Sequence, residues 1–513
     1  MTSTSSRVFK NTIYLYAKMA ATIFVTFFST RLIINSLGFE DYGIYNVVAA
    51  AIAMFGFLNA SMAMATQRFM NYYEGKQDIA CQRKIFNASM ILHISICVIM
   101  GIALILAEPL MFDHLISIDA GRMDVARWVY RFAVGSTMIT IAAVPFDAMI
   151  NSHEDLMFFS VVGIVDAILK LMAALFIVGY SGDKLYCYGL LILVITFIVN
   201  ISMYVFCKCR YKECVFNPTK YYDKDFLRKI ASFGGWSFVG TSSAMMSQYG
   251  SKIVLNRFWG LRLNAAEGVT SQLTSVMMSL SKNLMKAVNP VIVKEEGRGE
   301  HNNMYRITFT VCKLMFVAFS VLALPLFFEC DYLLTLWLKN VPPYCTEFVK
   351  LVIVLKVIEQ VTEPINTSIN AVGNIKTYNL VYAILQFSMI GLTVVFFSIG
   401  LSPSYLLISQ IIIAILLSVY RIKLSATKNG MPLKGFVVDV LFRCLLTLIP
   451  VCFMSLVFVW LFSPCFLRMC IVSFVSIIAL LITSYYILLK QPERTTINGL
   501  IKSFVINRVK RER

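Results

Sequence analysis

The residues best placed to do chemistry in this chain are charged and polar side chains inside apolar runs. Intramembrane charge is costly, and so points to function by default. Gln272, Ser275, Ser279, Lys282 and Lys286 recur at helical spacing and share one face, widened by Asn283 and Asn289. Such a face belongs on water or on a substrate path, although Lys286 is near enough to a membrane surface to snorkel. Lys356, Glu359, Glu363, Asn366 and Asn370 repeat the device further on. Here Lys356 is expected to pair with Glu359, which leaves Glu363 short of a cation. Glu363 also precedes Pro364, which weakens the helix and frees carbonyls. A carboxylate at a broken helix suits a proton or Na⁺, and a structural ion pair is the equal alternative. Asp166 and Lys170, one turn apart, read as a self-neutralising pair. Asp147 follows Pro145 and matches Asn366 in position, so Glu363, Glu359, Asp166 and Asp147 are the candidates for a coupling ion.

Two further cations stand at equivalent points. Arg31 opens RLIINSLGFEDYG, and Lys252 opens KIVLNRFWG. In each, a cation, three aliphatic residues and Asn precede a glycine-bearing turn. Gln248, Lys252 and Asn256 continue one polar face. Either the two cations snorkel to an interface, or they face a shared cavity between two halves of the protein. On the second reading Arg31, Lys252, Lys282, Lys286, Gln248 and Gln272 form a cationic, anion-accepting lining.

The elements that must position these residues are membrane helices. The 513 residues are 58% hydrophobic and 14% charged, with a mean hydropathy of +0.73. That composition excludes a soluble globular protein and predicts an all-α polytopic membrane protein. Apolar runs of membrane length predict fourteen spans, near 13–37, 42–66, 85–107, 125–150, 158–180, 186–207, 230–257, 265–292, 306–329, 347–370, 378–400, 404–422, 437–462 and 467–489. The formal charge of +18 falls mostly in the connections on one side, Arg421 among them. By the positive-inside pattern both termini are expected in the cytoplasm. The basic tail after Lys490 interleaves Ile497, Leu500, Ile501, Phe504 and Val505, and reads as an amphipathic surface anchor.

Three sequence pairs recur in the same order at nearly one spacing: RLIIN with KIVLN, LAEPLMF with LALPLFF, and PFDAMIN with PINTSIN. They predict two parallel six-helix lobes plus two extra helices. The lobes are assigned to 1–212 and 213–428, and the extra helices with the tail to 429–513. No nucleotide-binding loop, metalloprotease helix or nucleophile elbow is present, so no enzyme is expected. Cys207, Cys209 and Cys214 cluster in sequence without a neighbouring His, and no metal site is expected. Cys330 and Cys345 both fall on outer connections, the one pair open to a disulfide.

LGFEDYG (Leu37 to Gly43) and PINTSINAVGNIKTYN (Pro364 to Asn379), set in this architecture, resemble the polysaccharide flippases of the MOP superfamily, the Wzx-type or O-antigen flippases. The resemblance implies a multi-pass protein of the bacterial inner membrane that moves an undecaprenyl-diphosphate-linked oligosaccharide between leaflets. It implies alternating access, coupling to H⁺ or Na⁺ and no other cofactor. The implied partners are the lipid-linked oligosaccharide, membrane lipids and a polysaccharide polymerase or glycosyltransferases, with no nucleic acid and a monomeric protein. The alternatives are a MATE-type small-molecule exporter, disfavoured by Lys18 and Arg31 and the lack of an acid in the first span, and a membrane glycan polymerase or ligase, disfavoured by the short loops.

Overall fold

The computed structural model describes residues 2–53, 56–112, 120–338, 341–495, 498 and 499, and for part of α1 and α2 the backbone alone. The described residues are helical almost throughout. In chain order the helices are α1 (Thr2–Ala53), α2 (Gly56–Gly75), α3 (Ile79–Leu110), α4 (Met123–Ser152), α5 (Leu156–Gly179), α6 (Lys184–Arg210), the single turn α7 (Pro218–Tyr221), α8 (Lys224–Trp259), α9 (Leu261–Gly297), α10 (His301–Leu338), α11 (Cys345–Val372), α12 (Lys376–Ser398), α13 (Tyr405–Lys428), α14 (Leu433–Phe436), α15 (Arg443–Leu461) and α16 (Phe466–Thr483). A π-helical stretch, Val437–Phe442, joins α14 to α15 without a break, and another, Ser484–Leu488, extends α16.

Nine helices among the described residues are long and apolar enough to cross a membrane. Helices α8, α9 and α11 are as long, at 36, 37 and 28 residues, but carry the polar stripes that lower their hydropathy. Many large apolar side chains point outward, including Phe197, Ile201 and Val205 on α6 and Phe453 and Trp460 on α15. In water such a surface would drive aggregation; in lipid it costs nothing. The chain is a multi-pass, all-α membrane protein.

The two turns that open the repeat prove to be single-residue pivots. Helix α1 runs through the expected turn and breaks only at Gly38, at φ 82° and ψ 170°. Between α8 and α9 the break falls on Gly260, at φ 79° and ψ −178°. This region is essentially reserved for glycine. No atom lies within 4 Å of a Cβ built at either position, so the requirement is conformational rather than steric. The matched prolines also sit inside helices: Pro145 in α4 and Pro364 in α11, Pro109 in α3 and Pro325 in α10.

The chain forms two compact units, Asn11–Thr241 and Ser242–Arg513, the latter joined by residues 1–10. The division falls inside α8. In the first unit α4 packs on α2, α3 and α6, and α6 on α5. Its core joins Val48, Leu104, Phe112, Val129, Tyr130 and Leu185. In the second unit α11 packs on α9, α10 and α13, and α12 on α13. Phe319, Ala323, Phe348, Ile353 and Leu406 centre its core. The last two membrane helices, α15 and α16, pair with each other and lie on α10.

Hydroxyls tie helices where side chains are small. Ser455 meets Ser476 at 2.9 Å, Thr393 meets Ser409 at 2.7 Å, Thr362 meets Ser418 at 3.0 Å, and Tyr130 donates to the Leu104 carbonyl at 2.7 Å. Away from water, each such bond spares a polar group an unpaired state. Cys330 and Cys345 are both buried free thiols, so the disulfide considered from their sequence position is not formed. The start of the basic tail is docked rather than lying apart, with Lys490 bonded to Asp439 and Glu493 to Lys313 within the second unit. Ile497, Leu500, Ile501, Phe504 and Val505 lie outside the described residues.

Candidate functional site

The polar stripe of α11 forms a ladder along one helix face. Lys356 donates to Glu359 at 2.7 Å, Asn366 to Glu363 at 3.1 Å, and Asn370 to Asn366 at 3.4 Å. The expected Lys356–Glu359 pair is therefore present. The expectation that Glu363 lacks a cation is corrected: Arg421 of α13 reaches it at 3.0 Å. Arg421 also donates to the Tyr378 hydroxyl of α12 at 2.9 Å. One guanidinium thus joins α11, α12 and α13. The signs of burial differ across the pair, since the Arg421 side chain is 8% exposed and that of Glu363 is 39% exposed. A buried arginine with an accessible carboxylate beside it is fixed in place, while the carboxylate can still meet an ion or water.

Arg421 was missed because its position near the end of an apolar run groups it with the basic connections. Only the fold shows it buried. Lys313 was missed for a related reason. It lies in an otherwise ordinary span and is 1% exposed, yet its ammonium meets both carboxylate oxygens of Glu493 at 2.8 Å. Arg468 is buried and holds Glu329 of α10 at 2.9 Å. These pairs share one signature that sequence does hold, an isolated charge within or at the edge of an apolar run. Their partners lie far along the chain, beyond the reach of helical spacing.

Lys252 is half-buried and paired with Glu267 at 3.0 Å, so α8 and α9 are clamped across the Gly260 pivot. Lys282 is exposed, and no described carboxylate pairs with it; Lys286 is half-buried. Gln248 and Gln272 are exposed. Arg31 lies in α1 ahead of the Gly38 pivot, but its side chain, like that of Asn256, lies outside the described residues. In the first unit Lys170 donates to Asp166 at 2.8 Å, the self-neutralising pair expected. Asp147 is half-buried in α4, and its carbonyl accepts from Asn151 at 2.8 Å.

A second feature of the first unit surrounds the EDYG turn. Arg122, ahead of α4, forks onto both carboxylate oxygens of Asp41 and reaches Asp183, the N-cap of α6, at 2.5 Å. Three segments are fastened at one point, three residues beyond the Gly38 pivot. The fork geometry suits arginine and not lysine.

The cysteine cluster does acquire a histidine in space, which sequence proximity could not reveal. His153 stacks on Tyr211 with ring centroids 4.1 Å apart. Its ring nitrogens are taken by Glu213 and by Glu74, the latter at 3.4 Å. Cys214 is buried, and burial pushes its thiol up to about 11. Among the described residues no group of histidine, cysteine and carboxylate side chains is arranged to hold a metal ion.

The site's charges can now be set against one another. Glu267, Glu359, Glu363 and Asp166 are each matched by a cation. On α9 the accessible face carries Gln272, Ser275 and Lys282, neutral or positive throughout.

No protein-family model matches the chain, and no curated protein matches it. Solved structures do. A crystal structure of a MATE point mutant superposes with a TM-score of 0.72 over 83% of this chain and 97% of that one, at 12% identity. The outward-facing conformation of a multidrug resistance MATE family transporter of the MOP superfamily gives 0.71 over 84% and 96%, at 12% identity. A MOP superfamily transporter from Pyrococcus furiosus, in which reverse polarity of the binding pocket suggests a different function, gives 0.66 over 84% and 96%, at 13% identity. At this level of identity the likeness is one of fold: the chain has the fold of the MATE and MOP-superfamily transporters.

Proposed function

We propose that the chain is a membrane transporter that moves an undecaprenyl-diphosphate-linked oligosaccharide between leaflets of the bacterial inner membrane by alternating access, driven by an H⁺ or Na⁺ gradient. The observation that carries this reading is the sign of the unmatched charge. Four intramembrane carboxylates, Asp166, Glu267, Glu359 and Glu363, are each matched by a cation, while Lys282 stays exposed and unpaired among the described residues. A diphosphate headgroup would meet such a cation where the dielectric is low and the attraction several times its value in water. A carrier of cationic drugs would need the opposite sign. That the fold tolerates both polarities is supported by the Pyrococcus furiosus transporter named for its reversed pocket. Arg31, Lys282 and Lys286, with Gln248 and Gln272, are the proposed headgroup ligands, and Lys252, held by Glu267, is proposed to clamp the helices that carry them. Glu363, accessible beside Arg421, leads the coupling-ion candidates over Glu359, Asp166 and Asp147.

The test is a glycan-export complementation assay with Lys282→Ala, Lys282→Glu and Arg31→Ala. Loss of export with lipid-linked glycan trapped in the inner leaflet is expected, with Lys282→Glu the more severe of the two Lys282 variants. Normal export in all three variants would overturn the anion assignment. Efflux of cationic dyes by the unmodified protein without glycan transport would instead establish the small-molecule exporter.

A further inference from the structure

The connection between α6 and α8 is built more firmly than its loop status suggests. Asn87 of α3 donates to the Val215 carbonyl at 2.8 Å and accepts from the Asn217 amide at 2.8 Å, which closes a two-point clasp. Arg83 donates to the Lys212 carbonyl at 3.2 Å and to the Tyr221 hydroxyl at 3.3 Å. Tyr211 stacks on His153 and donates to Asp155 at 2.6 Å. Each bond joins the loop to α3, α4 or the start of α5, within one compact unit.

This fastening sorts the loop by charge. Two of its three acids turn inward: Glu213 is buried against His153, and Asp223 holds Lys84 at 3.1 Å while capping the amides of Asp225 and Phe226, so that Asp225 alone is exposed among seven exposed bases. Its bases turn outward, and Lys208, Arg210, Lys212, Lys220, Lys224, Arg228 and Lys229 are all exposed. Among them stand apolar side chains that a solvated loop has no reason to present. Val215 is 42%, Phe216 50% and Tyr222 57% exposed.

Place in the fold decides what such a surface meets. Helix α6 is the least buried of the nine apolar helices among the described residues. Its outward side chains Phe197, Ile201, Tyr204 and Val205 lead up to the loop. A basic, ring-bearing segment that continues a lipid-facing helix beyond its end sits at headgroup level. There, aromatic rings embed at the interface and lysines meet phosphates.

From this geometry we propose that Lys212, Phe216, Lys220, Tyr222 and Lys224 form a docking surface for anionic phospholipid headgroups, with Phe216 and Tyr222 seated in the interface. Its existence does not depend on the transported substrate. The rigid clasp means that little conformational freedom is lost on contact, so a modest charge suffices for preference.

The experiment measures lipid retention by native mass spectrometry on the full chain, reconstituted in nanodiscs that mix phosphatidylglycerol with phosphatidylcholine. The unmodified protein is expected to retain phosphatidylglycerol preferentially, and rising salt is expected to erode the preference. Each lysine neutralised in Lys212→Gln, Lys220→Gln and Lys224→Gln is expected to lower it about fivefold. The corresponding arginine variants are expected to keep it. Inorganic phosphate at matched concentration is expected to displace little, which separates a lipid surface from a simple anion site. Equal retention of the two lipids by the unmodified protein, or a preference untouched by salt, would overturn the proposal without need of any variant. A preference that survives in the triple glutamine variant would overturn it as well.

Discussion

The Lys313–Glu493 pair offers the most quantitative test of how this protein is held together. Lys313 is 1% exposed, and Glu493 accepts from it through both oxygens at 2.8 Å. Glu493 also accepts from the Thr310 hydroxyl at 2.9 Å and the Lys490 amide at 2.7 Å. The carboxylate belongs to the segment after the last span, so one tail residue neutralises a charge deep in α10. Glu493→Ala leaves the ammonium buried and unmatched, at a cost of about 3–5 kcal/mol. Glu493→Gln keeps one acceptor oxygen and is expected to recover about 1.5 kcal/mol of that loss. Lys313→Met alone strands Glu493, which is 16% exposed and better placed to hydrate; it is expected to cost about 1–2 kcal/mol. The double variant Lys313→Met with Glu493→Gln removes both charges at similar volume and is expected within about 1 kcal/mol of the unmodified protein.

The assay uses the protein's own thiols. Cys312 and Cys444 are buried and free, whereas Cys209 and Cys470 are exposed. A maleimide dye therefore shows a prompt baseline from the exposed pair and a thermal transition as buried thiols open. The expected order of melting is double variant near unmodified protein, then Lys313→Met, Glu493→Gln and Glu493→Ala. A Glu493→Ala protein that melts with the unmodified one, or a double variant no better than Glu493→Gln, would refute the reasoning.

The other predictions concern the pivots, the loop histidine and the three-helix pair. Gly38→Ala and Gly260→Ala should each cost about 1–3 kcal/mol, because the side chain must occupy a region closed to it; the same dye transition reads the loss. Burial pushes the Glu213 carboxyl up, but the His153 hydrogen bond and charge, its own backbone amide and Arg83 together bring it below the usual glutamate range. A lowered carboxyl stabilises above its unfolded value and loses that contribution as pH falls through the folded one. Acid unfolding should accordingly begin below the ordinary glutamate range, and His153→Phe should move its onset to higher pH while leaving the ring stack on Tyr211. An unmoved onset in a pH titration of tyrosine fluorescence would count against the pairing. Glu363→Gln should weaken gradient-driven transport and destabilise more than Arg421→Met, because it strands the buried guanidinium whereas Arg421→Met strands a carboxylate that water can reach; a double-mutant cycle with a coupling below about 0.5 kcal/mol would show the pair to be incidental.

Local rules carried the sequence reading as far as helical spacing reaches. Lys356 with Glu359 and Lys170 with Asp166 are three and four residues apart, so their pairing follows from the helix alone. The glycine pivots and the prolines inside helices were equally legible, since both are backbone properties of single residues. Arg421, Arg468 and Lys313 were not, because their partners Glu363, Glu329 and Glu493 come from other helices. Periodicity tells which face a residue is on, and not what stands opposite. Glu213 and His153 illustrate the same limit at the loop, where 60 residues of chain separate a bonded pair.

The duplicated cations show why a repeat does not preserve function by itself. Gly38 and Gly260 adopt one backbone conformation, so the pivot has been kept in both halves. Around it the charges have diverged. Lys252 is neutralised by Glu267, seven residues beyond its glycine; the residue seven beyond Gly38 is Tyr45, with Asn46 next to it. Two acids follow the first pivot: Arg122 holds Asp41 in a fork, which removes it as a partner for other cations, and the side chain of Glu40 lies outside the described residues. The second half thus keeps its cation as part of a structural clamp. In the first half the local sequence supplies Arg31 with no carboxylate at the matching position. On the proposed reading the two cations make unequal demands on export. Lys252→Ala should fail by loosening α8 from α9, and Glu267→Gln should share that defect. Arg31→Ala should fail through substrate alone, with the dye transition unchanged, and an Arg31→Ala protein that loses both stability and export would place Arg31 in the structural class instead.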